Sequence, residues 1–148
     1  MPTNKEIVER FFNPRYGSYH SSYNNISFYG DTFYSYNTAI ARIVQGKRNP
    51  VLLLSSNRHS PTTARHISLV WSKVPADMSI IYVPTIRGER TIDIDTVVVR
   101  LLQRLFELQP LIGKSKKYRD EAISVNGELW RINYWIKDID IPKELTSF

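Results

Sequence analysis

Cysteine is absent from these 148 residues. That excludes disulfides and thiolate metal sites, and it fits a reducing compartment. Long apolar runs are absent too, since no stretch approaches the ~18 residues a membrane-spanning helix needs. The opening "MPTNKEIVERFF" has no apolar core of the signal-peptide kind, so we expect a cytoplasmic protein with no membrane partner. Glycine is scarce, at 6 residues, and none is arranged in a phosphate-cradling loop. HExxH, GxSxG and paired zinc half-sites are missing as well, so no cofactor and no metal is expected.

What is present describes a folded domain. A hydrophobic share of 42% and a charged share of 23% are ordinary globular values. The length suits one domain over 1–148, with no linker and no internal repeat. The net charge of +6 favours an anionic partner, nucleic acid foremost. The cations cluster as Lys47/Arg48, Arg58/Arg65, Arg87/Arg90, Arg100/Arg104 and Lys114/Lys116/Lys117/Arg119.

Thr3 and Glu6 stand at capping-box spacing before Ile7, Val8, Phe11 and Phe12, which predicts a short N-terminal helix ended by Asn13-Pro14. Residues 14–25 have turn composition and no period, and are expected as a loop. Strand patterns follow in "ISFY", "TFYSY", "TAIARIV", "VLLLSS" and "MSIIYVP". Gln45 to Pro50 reads as a hairpin loop with Lys47 and Arg48 at its tip, and "VLLL", apolar on both faces, as a central strand. Helical periods cover about 61–74 and 93–108, the second through Ile94, Val97, Val98, Leu101, Leu102 and Leu105. In "AISVNGELWRINYWI" the Asn126-Gly127 pair and the alternation Trp130, Ile132, Tyr134, Ile136 predict a C-terminal β-hairpin. The expected class is α+β, a mainly antiparallel sheet with the two principal helices on one face.

"NRHSPTTARH", Asn57 to His66, is the densest candidate site. Ser60 suits a helix N-cap, Pro61 the first helical position, and Thr62 and Thr63 the first turn. Arg58 and Arg65 beside such a helix start would suit a phosphate, because the free backbone N–H groups and the dipole favour an anion. His59 and His66, with Arg58 or Arg65, also have the residue types of a metal-independent acid–base pair. A capped helix with solvated basic neighbours explains the stretch equally well.

Two further surfaces stand out. Tyrosines crowd the segment from Tyr16 to Tyr36, and alternation sets Tyr34 and Tyr36 opposite Phe33, where aromatic rings can stack on unpaired bases. "GKSKKYR" gathers Lys114, Lys116, Lys117 and Arg119 in an expected loop, a non-specific contact for phosphates.

Tyr34, Ser35, Tyr36, Thr38, Ile40 and Ala41, followed by Ser60, Thr62, Thr63 and His66, resemble a small uncharacterised bacteriophage and mobile-element domain. That domain carries a Tyr-Ser-Tyr-x-Thr-x-Ile-Ala strand and a Ser-x-Thr-Thr-x-x-His helix start. The resemblance covers residues 31–72, about a third of the chain, and implies an accessory protein that binds nucleic acid or blocks a host enzyme. It implies no catalytic residue set.

The leading expectation is a non-enzymatic phage-type accessory protein, in the host cytoplasm, binding RNA or DNA alone or within a nucleoprotein complex. The alternative is a protein-binding inhibitor of a host defence system, anti-CRISPR-like or anti-restriction-like. A third is a small metal-independent ribonuclease using His59 and His66.

Overall fold

Helix α1 (Asn4–Phe12) begins at Thr3, whose Oγ1 accepts the Glu6 N–H at 3.2 Å, and closes at Asn13, whose N–H donates to the Glu9 carbonyl. The computed structural model describes residues 3–13, 18–20, 25–86 and 90–145. Ile7, Val8 and Phe11 form the buried stripe of α1. Phe11 meets Phe33 edge-on at 5.2 Å and Phe28 at 5.6 Å between ring centroids.

Six strands make one sheet in which spatial order follows chain order: β1 (Ser18–His20), β2 (Ile26–Tyr29), β3 (Thr32–Ser35), β4 (Thr38–Gln45), β5 (Pro50–Ser55) and β6 (Ser79–Val83). β1 to β5 pair antiparallel. Two-residue turns join β2 to β3 and β3 to β4, and Gly30 takes the left-handed φ of 57° that the first of them requires. Between β3 and β4 the register jumps at Phe33/Tyr34, leaving Ile40 as an extra residue on β4.

β5 passes through helix α2 (Pro61–Ser72) into β6, and this last pair is parallel. The chain thus holds one βαβ unit at the end of an antiparallel meander. Helices α3 (Arg90–Leu108) and α4 (Lys116–Trp135) complete the fold, joined through a 3-10 turn at Gln109–Leu111.

The run "VLLL" decides where the helices go. Leu52 and Leu54 pack with Val70 of α2 and with Ile7, Val8 and Phe11 of α1. Val51 and Leu53 point the other way, into a second core with Leu105 of α3 and Leu129 and Ile132 of α4. A strand apolar on both faces must be covered on both. The expectation of helices on one face is corrected accordingly. The α+β class, the short N-terminal helix and the β2–β5 strands stand as expected, while β5 is buried on both faces but lies next to the edge strand β6 and not at the centre of the sheet.

The C-terminal β-hairpin is also corrected. Residues 116–135 form one continuous helix, so the fold has three long helices in place of two. Tyr118, Ala122, Val125, Leu129, Ile132 and Ile136 recur at spacings of four and three and pack into the second core. That period outweighs the Asn126-Gly127 turn signal, because a stripe of six apolar contacts stabilises more than one glycine costs. The period-two aromatics Trp130 and Tyr134 are each 49% exposed instead. The expected 14–25 loop contains strand β1, and the rest of it outside Asn25 lies beyond the described residues, as does Arg87.

Candidate functional site

The start of α2 is built as its sequence predicts. Ser60 Oγ accepts the Thr63 N–H at 3.3 Å, and Pro61 occupies the first turn, where its missing N–H costs nothing. Arg58 and Arg65 are exposed, and among the described residues Arg65 reaches the Thr62 hydroxyl, at 3.5 Å.

The two histidines are engaged separately. His66 is buried, with Nδ1 at 2.7 Å from Ser35 Oγ, and that hydroxyl also lies 3.0 Å from Thr63 Oγ1. Burial, and then the neighbouring Arg65 charge, lower the His66 pKa below its ordinary 6.5, so the imidazole is held neutral. His59 instead places Nε2 at 2.8 Å from Ser55 Oγ, a hydroxyl 3.4 Å from the Pro84 carbonyl. Ser35 faces α2, whereas Ser55 continues the alternation of Val51 and Leu53 toward the opposite layer. The fold therefore gives each histidine its own serine and does not assemble them around one reacting atom. Both serines are buried, which closes them to a substrate.

Tyr36 lies beside this network. It is exposed and holds a left-handed φ of 54°, unusual for a residue with a bulky side chain. Its N–H donates to the Asn25 carbonyl at 2.8 Å, and its ring centroid is 6.0 Å from that of His66. Tyr34, half-buried between Ser27 and Ala39, faces away from Phe33 as expected, but Tyr36 leaves the strand alternation in the turn and lies on the His66 side, so the expectation of both tyrosines on one face is corrected.

The cation clusters separate into engaged and available groups. Lys47 donates to the Asn133 carbonyl at 2.5 Å and pairs with Asp138, while Arg48 donates to the Tyr134 carbonyl at 2.6 Å and lies over the Tyr134 ring at 3.8 Å. The hairpin tip thus satisfies carbonyls at the end of α4, close enough that a Cβ on Gly46 would stand 2.4 Å from the Trp135 carbonyl oxygen. Arg104 makes a two-pronged pair with Glu121, one arm at 2.8 Å, and a 3.3 Å contact to Glu107. The same guanidinium holds the Glu121 carboxyl below the usual carboxylate range.

Lys114, Lys116, Lys117 and Arg119 remain exposed, and no ion pair among the described residues involves them. Lys114 lies in the turn before α4, whereas Lys116, Lys117 and Arg119 form its first turn and not the expected loop before a hairpin. Ser115 caps that start by accepting the Lys117 N–H at 3.3 Å, and the first turn holds no acidic residue.

Sequence reasoning missed Ser55, whose signal is slight, and the outer face of α4, hidden by the hairpin expectation. Among the described residues no group of three or more His, Asp or Glu is placed to hold a metal ion, and no helix is long and apolar enough to cross a membrane.

No curated protein and no solved structure matches the chain. Residues 9–77, just under half of its length, match the model of a family of unknown function, DUF8033. The matched stretch runs from α1 through α2, contains the Ser35–Thr63–His66 network, and stops short of β6, α3 and α4.

Proposed function

We propose that this protein binds nucleic acid, RNA or DNA, through a basic surface at the start of α4, as a non-enzymatic accessory protein of phage type acting in the host cytoplasm. One observation carries the binding reading. Lys114, Lys116, Lys117 and Arg119 crowd the positive end of a 20-residue helix dipole with no acidic residue in the first turn. Cations there repel the dipole and each other, so the arrangement opposes folding locally. Such conflicts between local rules and sequence mark surfaces kept for a ligand. A phosphate backbone meets that combined field of side chains and helix end. The phage-type origin rests on the resemblance over residues 31–72.

The test is binding of labelled oligonucleotides across a salt series. Replacing Lys114, Lys116 and Lys117 with Gln should weaken binding to all sequences alike and reduce the log–log salt slope by about 0.7–0.9 per lost phosphate contact. An unchanged slope would show that the cluster is merely solvated.

A further inference from the structure

Helix α4 carries a second stripe beside its core one. Lys116, Arg119, Ile123, Gly127, Trp130 and Tyr134 recur at spacings of three and four, so they line one flank of the helix. All six are exposed. The flank is basic at its beginning and aromatic toward its end, with Asp120, one turn after Lys116, as the exposed carboxylate at its edge. Over 20 residues it runs about 30 Å.

Gly127 sits in the middle of this flank without a reason internal to the fold. Its φ is not left-handed, and a Cβ added there would meet nothing within 4 Å. A glycine in a helix interior nevertheless costs about 1 kcal/mol relative to alanine. What it provides is a bare stretch of backbone between Ile123 and the two aromatic rings. A shallow, open depression of about 560 Å³ lies at this point, lined by Gly127, Trp130, Arg131, Asn133, Tyr134 and Trp135.

The Tyr134 ring beside the notch is held in advance. Arg48 covers the Tyr134 ring at 3.8 Å, and Trp135 meets it edge-on at 4.7 Å between centroids. Arg131 is steadied by donating to the Ile80 carbonyl at 2.7 Å. Groups already ordered lose little entropy when a ligand arrives.

We infer that this flank of α4 is a track for an unpaired nucleic-acid strand. A base enters the Gly127 notch against Trp130 and Tyr134, and the phosphates run toward Lys116 and Arg119. Arg48 and Arg131 supply positive charge at the aromatic end, so both ends of the path carry cations that complement a polyanion. The inference rests on the nucleic-acid reading above and adds the strand state. Bases inside a duplex are stacked on one another and cannot reach these rings, whereas unpaired bases stack on aromatic side chains without regard to sequence.

Fluorescence anisotropy with labelled ten-nucleotide oligothymidylate, oligouridylate and a ten-base-pair duplex tests this on the full chain. At least one single strand should bind about tenfold more tightly than the duplex. Trp130→Ala should remove about tenfold of single-strand affinity and leave duplex binding unchanged. Gly127→Leu fills the notch with a better helix former, so it should weaken single-strand binding while helical circular dichroism and thermal stability are kept. Equal affinity for single strand and duplex, with Gly127→Leu silent, overturns the track and leaves the basic-surface reading intact. Failure to bind any of the three probes overturns both. A concentration-dependent dimer abolished by Gly127→Leu, without single-strand preference, assigns the stripe to a second copy of the chain and likewise overturns the proposal.

Discussion

Ser35 Oγ lies 2.7 Å from Nδ1 of His66, and the same hydroxyl reaches Thr63 Oγ1 at 3.0 Å, one helical turn earlier. A single buried group on β3 therefore ties the strand to two turns of α2. Truncation by Ser35→Ala leaves an imidazole nitrogen and a threonine hydroxyl buried without this partner. The expected loss is about 1–3 kcal/mol in urea unfolding, with the denaturant slope unchanged. A loss below about half a kcal/mol would mean that the neighbours find other partners.

His66 makes stability depend on pH. Its pKa is lowered in the folded protein from the ordinary 6.5, by burial first and by Arg65 second. The unfolded chain therefore binds the proton more readily than the folded one. The contribution of neutral His66 is complete above pH 6.5 and declines as pH falls below it toward the depressed folded value. Thermal midpoints measured from pH 8 downward should show this decline in the native protein and a shallower one in His66→Gln. Parallel curves for the two would assign the acid sensitivity to other groups.

The basic start of α4 predicts effects of opposite sign on folding and on binding. Replacing Lys116 or Lys117 with Glu places a carboxylate at the positive end of the helix dipole. Lys116→Glu should raise the thermal midpoint by roughly 1–4 °C, and Lys117→Glu by less, because Lys117 also favours the Glu121 carboxylate one turn on. The same variants should bind oligonucleotides more weakly. A variant that both melts lower and binds worse would show a structural role for these lysines.

Within "NRHSPTTARH" the cap and the cations should separate cleanly. Ser60→Ala removes the acceptor of the Thr63 N–H and should cost about 0.5–2 kcal/mol. Arg58→Ala and Arg65→Ala touch exposed side chains without ion pairs among the described residues, so chemical denaturation should find them near neutral. Should either arginine variant reduce oligonucleotide affinity while Lys116→Glu does not, the interface lies at α2 instead of α4.

The sequence made most of the sheet legible, because Leu52, Leu53 and Leu54 announce a strand buried on both faces and short turn signals separate β2 to β4. It concealed α4. Trp130, Ile132, Tyr134 and Ile136 alternate as a strand would, and Asn126-Gly127 mimics a hairpin turn, while the helical stripe from Tyr118 to Ile136 is spread over nineteen positions. That stripe, together with the open face of β5 and β6 that demands cover beside α3, tells the two apart. At the candidate site the Ser60 cap was visible from neighbouring residues. The Ser35–His66 contact joins positions 31 apart in the chain and had no local signal.

Because the strands lie in the sheet in the order in which they are made, contacts among β1 to β5 are short-range in sequence. A chain leaving the ribosome N-terminus first adds each strand to an edge already in place, a low-contact-order route that favours rapid assembly. Val51 and Leu53 must then wait, one face bare, until α3 and α4 have been synthesised. During that interval the half-finished sheet offers a sticky apolar surface to chaperones or to other nascent chains. Arrested translation products ending near residue 85 should therefore capture a hydrophobic dye that the finished protein excludes.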